Sequence, residues 1–108
     1  MKSVEDWLSS LKESDKLIVV EGIKDKRALE NFDIANIITL NKPIYKLVED
    51  IYKTKKEVVI LTDLDKEGKY LYKRLKSDLQ RFGVKIDNKF REFLLRETKI
   101  SNIEGIRI

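Results

Sequence analysis

The chain has 108 residues, 39% of them charged, and its 23 basic against 19 acidic residues leave a formal net charge of +4. Neither cysteine nor histidine occurs, which excludes disulfides, thiol nucleophiles, imidazole bases and zinc sites built on sulfur or imidazole. Carboxylates, lysine, arginine, tyrosine and hydroxyls remain for chemistry, and hard oxygen-seeking cations such as Mg²⁺ suit that set.

Ser3-Val-Glu-Asp6 has the pattern of a helix start, and Val4, Trp7, Leu8 and Leu11 fall on one face of the N-terminal helix expected over 3–13. Leu17–Val20, "LIVV", is a continuous apolar run of the kind that suits a strand buried on both faces. A helix from near Lys24 buries Ala28, Leu29 and Phe32, and "NIITL" over 36–40 is a second buried strand. Asn41 is placed to cap the next helix, with Pro43 in its first turn, where no backbone N–H is missed. Ile44, Leu47, Val48, Ile51 and Tyr52 give that helix its apolar face.

Val58–Leu61, "VVIL", is the third strand. Asp65 stands where a helix cap belongs, and the helix behind it runs to about Phe82, burying Leu71, Leu75, Leu79 and Phe82. Gly83 ends it, 84–86 forms a short fourth strand, and Asp87 caps a last helix carrying Phe90, Phe93 and Leu94. The tail "KISNIEGIRI" is open between loop and edge strand. One domain over 1–108 is the expectation, with a motif-bearing core over about 16–86 and a C-terminal helix and tail over 87–108. No apolar run approaches membrane-spanning length and no signal peptide is visible, so a soluble cytoplasmic protein is expected.

Strand and helix alternate at short spacing, which predicts an α/β fold with helices on both faces of a mostly parallel, four-stranded sheet. Sites in such sheets form outside the carboxyl ends of the strands. Glu21 follows the first strand, and Asp63 and Asp65 follow the third. If those strands are neighbours, as in the order 2-1-3-4, their ends lie about 5 Å apart and three carboxylates converge. Gly22 and Gly68 would permit tight turns there.

Taken singly, the acids read as caps and turn residues. Taken together, they would repel one another and raise each other's pKa values, which a divalent cation relieves. Lys24, Lys26 and Arg27 follow the first strand, and Lys66, Lys69, Lys73 and Arg74 decorate the helix behind the third. They form either a phosphate-binding surface or an ordinary solvated face laced with ion pairs. Lys89, Arg91, Arg96 and Lys99 would extend such a surface, and the four tyrosines read as packing residues. A haloacid-dehalogenase-like phosphatase would need a hydroxyl residue where Glu67 stands, and a receiver domain would need a lysine after a fifth strand.

"VVEGIKD", 19–25, and "ILTDLDKEG", 60–68, resemble the two motifs of the Toprim family. The resemblance covers about residues 16 to 86, and the chain is similar to small stand-alone Toprim proteins. Toprim domains also occur in topoisomerases, bacterial primases and the ribonuclease that matures 5S ribosomal RNA, the last being most alike in motif wording. The resemblance implies a three-layer, Rossmann-like fold. It implies Glu21 as general acid or base, Asp63 and Asp65 as Mg²⁺ ligands, and Gly22 and Gly68 as motif glycines. Asp25 matches a commonly acidic position, while Glu67 stands where topoisomerases carry Asp.

Topoisomerases need a tyrosine nucleophile from another domain, and primases need further basic and zinc-binding domains. Two functions follow. The first is a Mg²⁺-dependent enzyme acting on phosphodiesters, a small nuclease for RNA or DNA with a possible role in RNA processing. In it Glu21, Asp63 and Asp65 serve as both catalytic and metal-binding residues, and Mn²⁺ substitutes for Mg²⁺. The second is a non-catalytic module that binds nucleic acid or works with a partner protein.

Overall fold

Three short parallel strands carry the molecule, and each is a run of β-branched and aliphatic residues. They are β1 (Leu17–Val20), β2 (Ile37–Thr39) and β3 (Val58–Leu61), in the spatial order β2-β1-β3. The computed structural model describes residues 1–107. Leu17 to Val20 pair with Val58 to Leu61 in register, and Ile18 to Val20 pair with Ile37 to Thr39 on the other side. Because β1 is central and helices cover both faces of the sheet, all four of its residues are buried.

Alternation along the strands divides the core into two layers. Ile18, Val20, Val59 and Leu61 face α1 (Val4–Glu13), α2 (Ile23–Glu30) and α5 (Lys89–Glu97). Leu17, Val19, Val58 and Ile60 face α3 (Ile44–Thr54) and α4 (Lys66–Arg81). Trp7 fastens α1 to α5: its ring meets Phe90 edge-on with centroids 6.1 Å apart, and its Nε1 donates to the Phe90 carbonyl at 2.8 Å. The result is the three-layer α/β arrangement expected from the sequence.

The fourth strand is corrected to a single bridge, Ile86 against Val58. Val58 N–H donates to the Lys85 carbonyl at 2.9 Å and Asp87 N–H to the Val58 carbonyl at 2.8 Å. There the chain leaves the sheet, because the Asp87 carboxylate turns to Lys16 and to the Lys89 N–H at 3.0 Å. That second bond supports the first turn of α5, although Asn88 holds the cap position. Asn41 does not cap α3, whose cap position is Pro43. Phe82 ends α4 exposed rather than buried, and Gly83 follows at φ +78°, the left-handed conformation that glycine adopts freely.

The tail is neither strand nor free loop. Ile103 and Ile106 are buried, Ile103–Gly105 forms one 3-10 turn against α2, and Leu64 N–H donates to the Ser101 carbonyl at 2.8 Å. No helix among the described residues is long and apolar enough to cross a membrane.

At the amino ends of the strands, Lys16 donates to Asp87 and lies 3.2 Å from Glu57. Its pKa is raised, mainly by the bond to Asp87. That of Asp87 is lowered because the bonds from Lys16 and the Lys89 N–H outweigh its burial. The raised lysine stabilises the fold until pH climbs through its folded pKa, above 10.5. The depressed carboxylate stabilises it until pH falls through its folded pKa, below 3.8. Replacing Lys16 by Met is expected to lower stability by about 1–2 kcal/mol at neutral pH in urea denaturation. The difference from wild type should close as pH falls below 3.8, where Asp87 protonates.

Candidate functional site

The register of β1 against β3 sets Val20 opposite Leu61, so Glu21 and the Thr62–Asp63 segment leave the sheet side by side. Glu21 Oε1 accepts from the Asp63 N–H at 2.9 Å. On the other side of the same residue, Arg91 Nη2 donates to the Asp63 carbonyl at 3.0 Å. Arg91 Nη1 donates to the Thr62 carbonyl at 2.6 Å and to its Oγ1 at 3.1 Å. The Thr62 hydroxyl in turn donates to the Gly68 carbonyl at 2.7 Å.

Gly68 sits hard against this turn. A Cβ there would lie 1.9 Å from the Asp63 carbonyl oxygen and 2.5 Å from its carbon. The close approach brings the first turn of α4 onto the strand end, and only glycine leaves room for it. Gly22 differs. Its φ of −141° is ordinary extended backbone, and a Cβ there would meet nothing within 4 Å. Neither sterics nor backbone conformation demands glycine at 22, which corrects the expectation of a tight turn.

With its backbone held on both sides, Asp63 turns its carboxylate into a partly buried position where Oδ1 has no hydrogen-bond partner. Burial, then the charges of Glu21, Asp25, Asp65 and Glu104, push its pKa up to about 6. The pKa of Glu21 is raised too, by burial and by Asp65, Asp25 and Glu67, against the lowering effect of the Asp63 N–H. An orphaned carboxylate oxygen beside a second carboxylate is a donor set that a hard divalent cation fits, and no such ion requires sulfur or imidazole.

The remaining acids are placed differently. Asp65 is exposed and caps α4, its Oδ1 accepting from the Gly68 N–H at 2.8 Å. Asp25 is buried and closes the first turn of α2, accepting from the Gly22 N–H at 3.1 Å. Its pKa is raised, chiefly by burial. Glu67 is exposed on the first turn of α4 and accepts no hydrogen bond among the described residues. Among those residues no three carboxylates gather closely enough to hold one ion between them. The fold thus brings Glu21 and Asp63 together and leaves Asp65 at the rim, because its carboxylate is drawn to the end of its own helix.

Lys24 and Arg27 on α2 and Lys66, Lys69 and Lys73 on α4 are exposed, and Lys26 is half-buried. None of the six makes an ion pair among the described residues. Other basic residues are tied: Lys42 and Lys46 to Asp50, Lys53 to Glu49, Lys56 to Asp15. Arg74 is paired too, 3.7 Å from Asp78. Ion pairs are densest on α3, while these six cations, on the two helices that start at the acids, have none among the described residues. Tyr45 and Tyr70 are exposed rather than packed, Tyr52 packs on Phe82 with ring centroids 5.7 Å apart, and Tyr72 is half-buried against Arg91.

Arg91 is the residue that sequence reasoning misplaced. It was expected on a basic surface and is only 3% exposed. Thr62, 1% exposed, was not singled out at all. A signal existed for the arginine: helical periodicity sets position 91 beside the arc of Phe90 and Leu94, where a long charged side chain needs a polar destination.

A Toprim domain model matches residues 16–94, a span that takes in both motifs and the first part of α5 with Arg91. The chain is 38% identical over 106 residues to a UPF0292 protein of Pyrococcus abyssi, which covers 97% of this chain and 80% of that protein. A UPF0292 protein of Methanocaldococcus jannaschii is 32% identical over 97 residues, covering 85% of this chain and 76% of that one. Among solved structures, a putative protein from Aquifex aeolicus superposes with a TM-score of 0.93 at 33% identity, over 98% of this chain and 100% of that one. The resemblance carried by the two motifs is borne out: the chain belongs to the Toprim family.

Two substitutions separate these roles. Gly68→Ala should disrupt the Asp63 turn and lower the melting temperature sharply, whereas Gly22→Ala should change it by no more than about 2–4 °C, since surface changes free of clashes stay near ±0.5 kcal/mol. In chelator, where no divalent ion is present, the raised pKa of Asp63 means its charged form opposes folding. Stability is lost as pH rises from 3.8 through about 6. Asp63→Asn should therefore be more stable than wild type by about 2 kcal/mol at neutral pH in EDTA. The two should converge as pH is lowered towards 3.8, measured by urea denaturation across the range.

Proposed function

We propose that this Toprim protein is a Mg²⁺-dependent enzyme acting on nucleic-acid phosphodiesters, a small nuclease of RNA or DNA. The observation that carries the reading is the partly buried Asp63 carboxylate, whose Oδ1 lacks any partner and which stands beside Glu21. Glu21 and Asp63 would hold the cation, while Asp65 stays committed to its cap on α4. A bound Mg²⁺ lowers the pKa of a water and neutralises charge on phosphate oxygens.

The protein's own residues divide the remaining work. Where it is not committed to the cation, Glu21 would take up and return a proton during cleavage. The unpaired Lys24, Lys26, Arg27, Lys66, Lys69 and Lys73 form a positive margin that the phosphate backbone would follow. The amino end of α4, with its outward N–H groups, adds to that attraction for anions.

A second reading, a non-catalytic module that binds nucleic acid alongside a partner protein, is favoured by one observation. The Asp65 carboxylate is engaged in capping its own helix, so the acids do not form a closed triad.

Incubation with end-labelled structured RNA and DNA, with Mg²⁺, with Mn²⁺ and with EDTA, tells the two apart. The nuclease reading expects metal-dependent cleavage that falls at least 100-fold in Asp63→Ala, a loss of about 3 kcal/mol of transition-state stabilisation. Salt-sensitive binding without turnover would support the second reading and overturn the first.

A further inference from the structure

We infer that Arg91 is a positioning residue, clamping the peptide unit of Asp63 so that its unpartnered carboxylate oxygen is held in place for a divalent cation. The inference rests on Glu21 and Asp63 being a cation site, as proposed above.

Arg91 is buried to 3% exposure, yet no carboxylate lies within ion-pair distance of it among the described residues. A buried cation without a counter-charge is costly and persists only where its donors are well met. Here they are met by backbone. The guanidinium fork reaches the carbonyls of two successive residues, Thr62 at 2.6 Å and Asp63 at 3.0 Å, and the Thr62 hydroxyl at 3.1 Å. Its plane stacks on Tyr72, 4.5 Å from the ring centre, and Tyr72 is itself tied to Asn88 by its hydroxyl.

The consequence falls on Asp63. Its N–H is held by Glu21 and its C=O by Arg91, while Gly68 packs on its backbone from α4. The carboxylate therefore has little freedom beyond its own side-chain torsions, and none of the partners that hold the residue uses Oδ1. Two planar contacts on consecutive carbonyls fix an orientation as well as a distance. A lysine ammonium, a single point charge, would fix neither as well. Residues standing behind a metal ligand in this way commonly change metal affinity by about 10–100-fold when altered.

The test compares Arg91→Lys and Arg91→Gln with Trp7→Phe, which removes a different bond to the same helix, Nε1 to the Phe90 carbonyl. One readout is Mn²⁺ affinity by electron paramagnetic resonance. The other is amide hydrogen exchange at Asp63 in EDTA, which needs no metal. Both arginine variants should bind Mn²⁺ about tenfold more weakly or worse, and the Asp63 N–H should exchange at least tenfold faster. Trp7→Phe should leave both at wild-type values despite a comparable drop in melting temperature.

Wild-type affinity and exchange in the arginine variants, or losses no greater than those of Trp7→Phe, would overturn the inference. Should the arginine variants not fold, Thr62→Val decides: it leaves the arginine in place, removes one of its acceptors, and should weaken Mn²⁺ measurably. Absence of Mn²⁺ binding in the wild-type protein itself would instead remove the cation site and the inference with it. Unchanged exchange in the variants of a protein that binds Mn²⁺ would remove the inference alone.

Discussion

Everything at the site depends on the in-register parallel pairing of β1 with β3. That ladder sets Val20 opposite Leu61 and brings Glu21, 42 positions earlier in the chain, onto the N–H of Asp63. A shift of one residue would reverse the faces of the strand as well as separate the acids. Two buried layers guard against it, since Leu17 and Val19 must face α3 and α4 while Ile18 and Val20 face the other side. Core packing and site geometry are thus one constraint. The hydrophobic pattern that stabilises the sheet also holds two carboxylates together against their repulsion.

Repulsion at the acids is contained by backbone groups rather than by basic side chains. Glu21 receives an N–H, Asp25 receives that of Gly22, and Asp65 receives that of Gly68. Each bond offsets part of the cost of burial and leaves the negative charge of its carboxylate intact. The nearest buried cation, Arg91, meets carbonyl oxygens and a hydroxyl instead of neutralising an acid. A site arranged in this way keeps net negative charge at the strand ends, where a cation from solution finds it, and positive charge at the margin.

Cations are distributed to the same effect. On α3 the lysines are tied to Glu49 and Asp50, which leaves little net field there. On α2 and the first turns of α4 they have no carboxylate partners among the described residues. The tail, through Ser101 and the 3-10 turn Ile103–Gly105, closes over the loop and α2 from the other side.

Much of this was legible in the residues themselves. Apolar runs and helical periodicity mark the strands and helices because burial on both faces demands unbroken aliphatic segments. The two motifs point to the family as a pair, Glu-Gly after the first strand and Asp-x-Asp after the third, where either alone would be weak. What the sequence left undetermined turns on contacts between distant segments. The fourth strand shrank to one bridge, beyond which the Asp87 carboxylate meets Lys16 and the Lys89 N–H. Gly22 and Gly68 look equivalent as letters and differ in space, since only one has a neighbouring backbone within 4 Å. Arg91 reads as surface charge until α5 is laid on β3, when its fork meets the carbonyls of the Asp63 turn. Composition and local pattern determined the elements and the chemistry available, because those depend on residues close in sequence. Tertiary structure alone decided which acid is left without a partner, because that depends on where every other donor ends up.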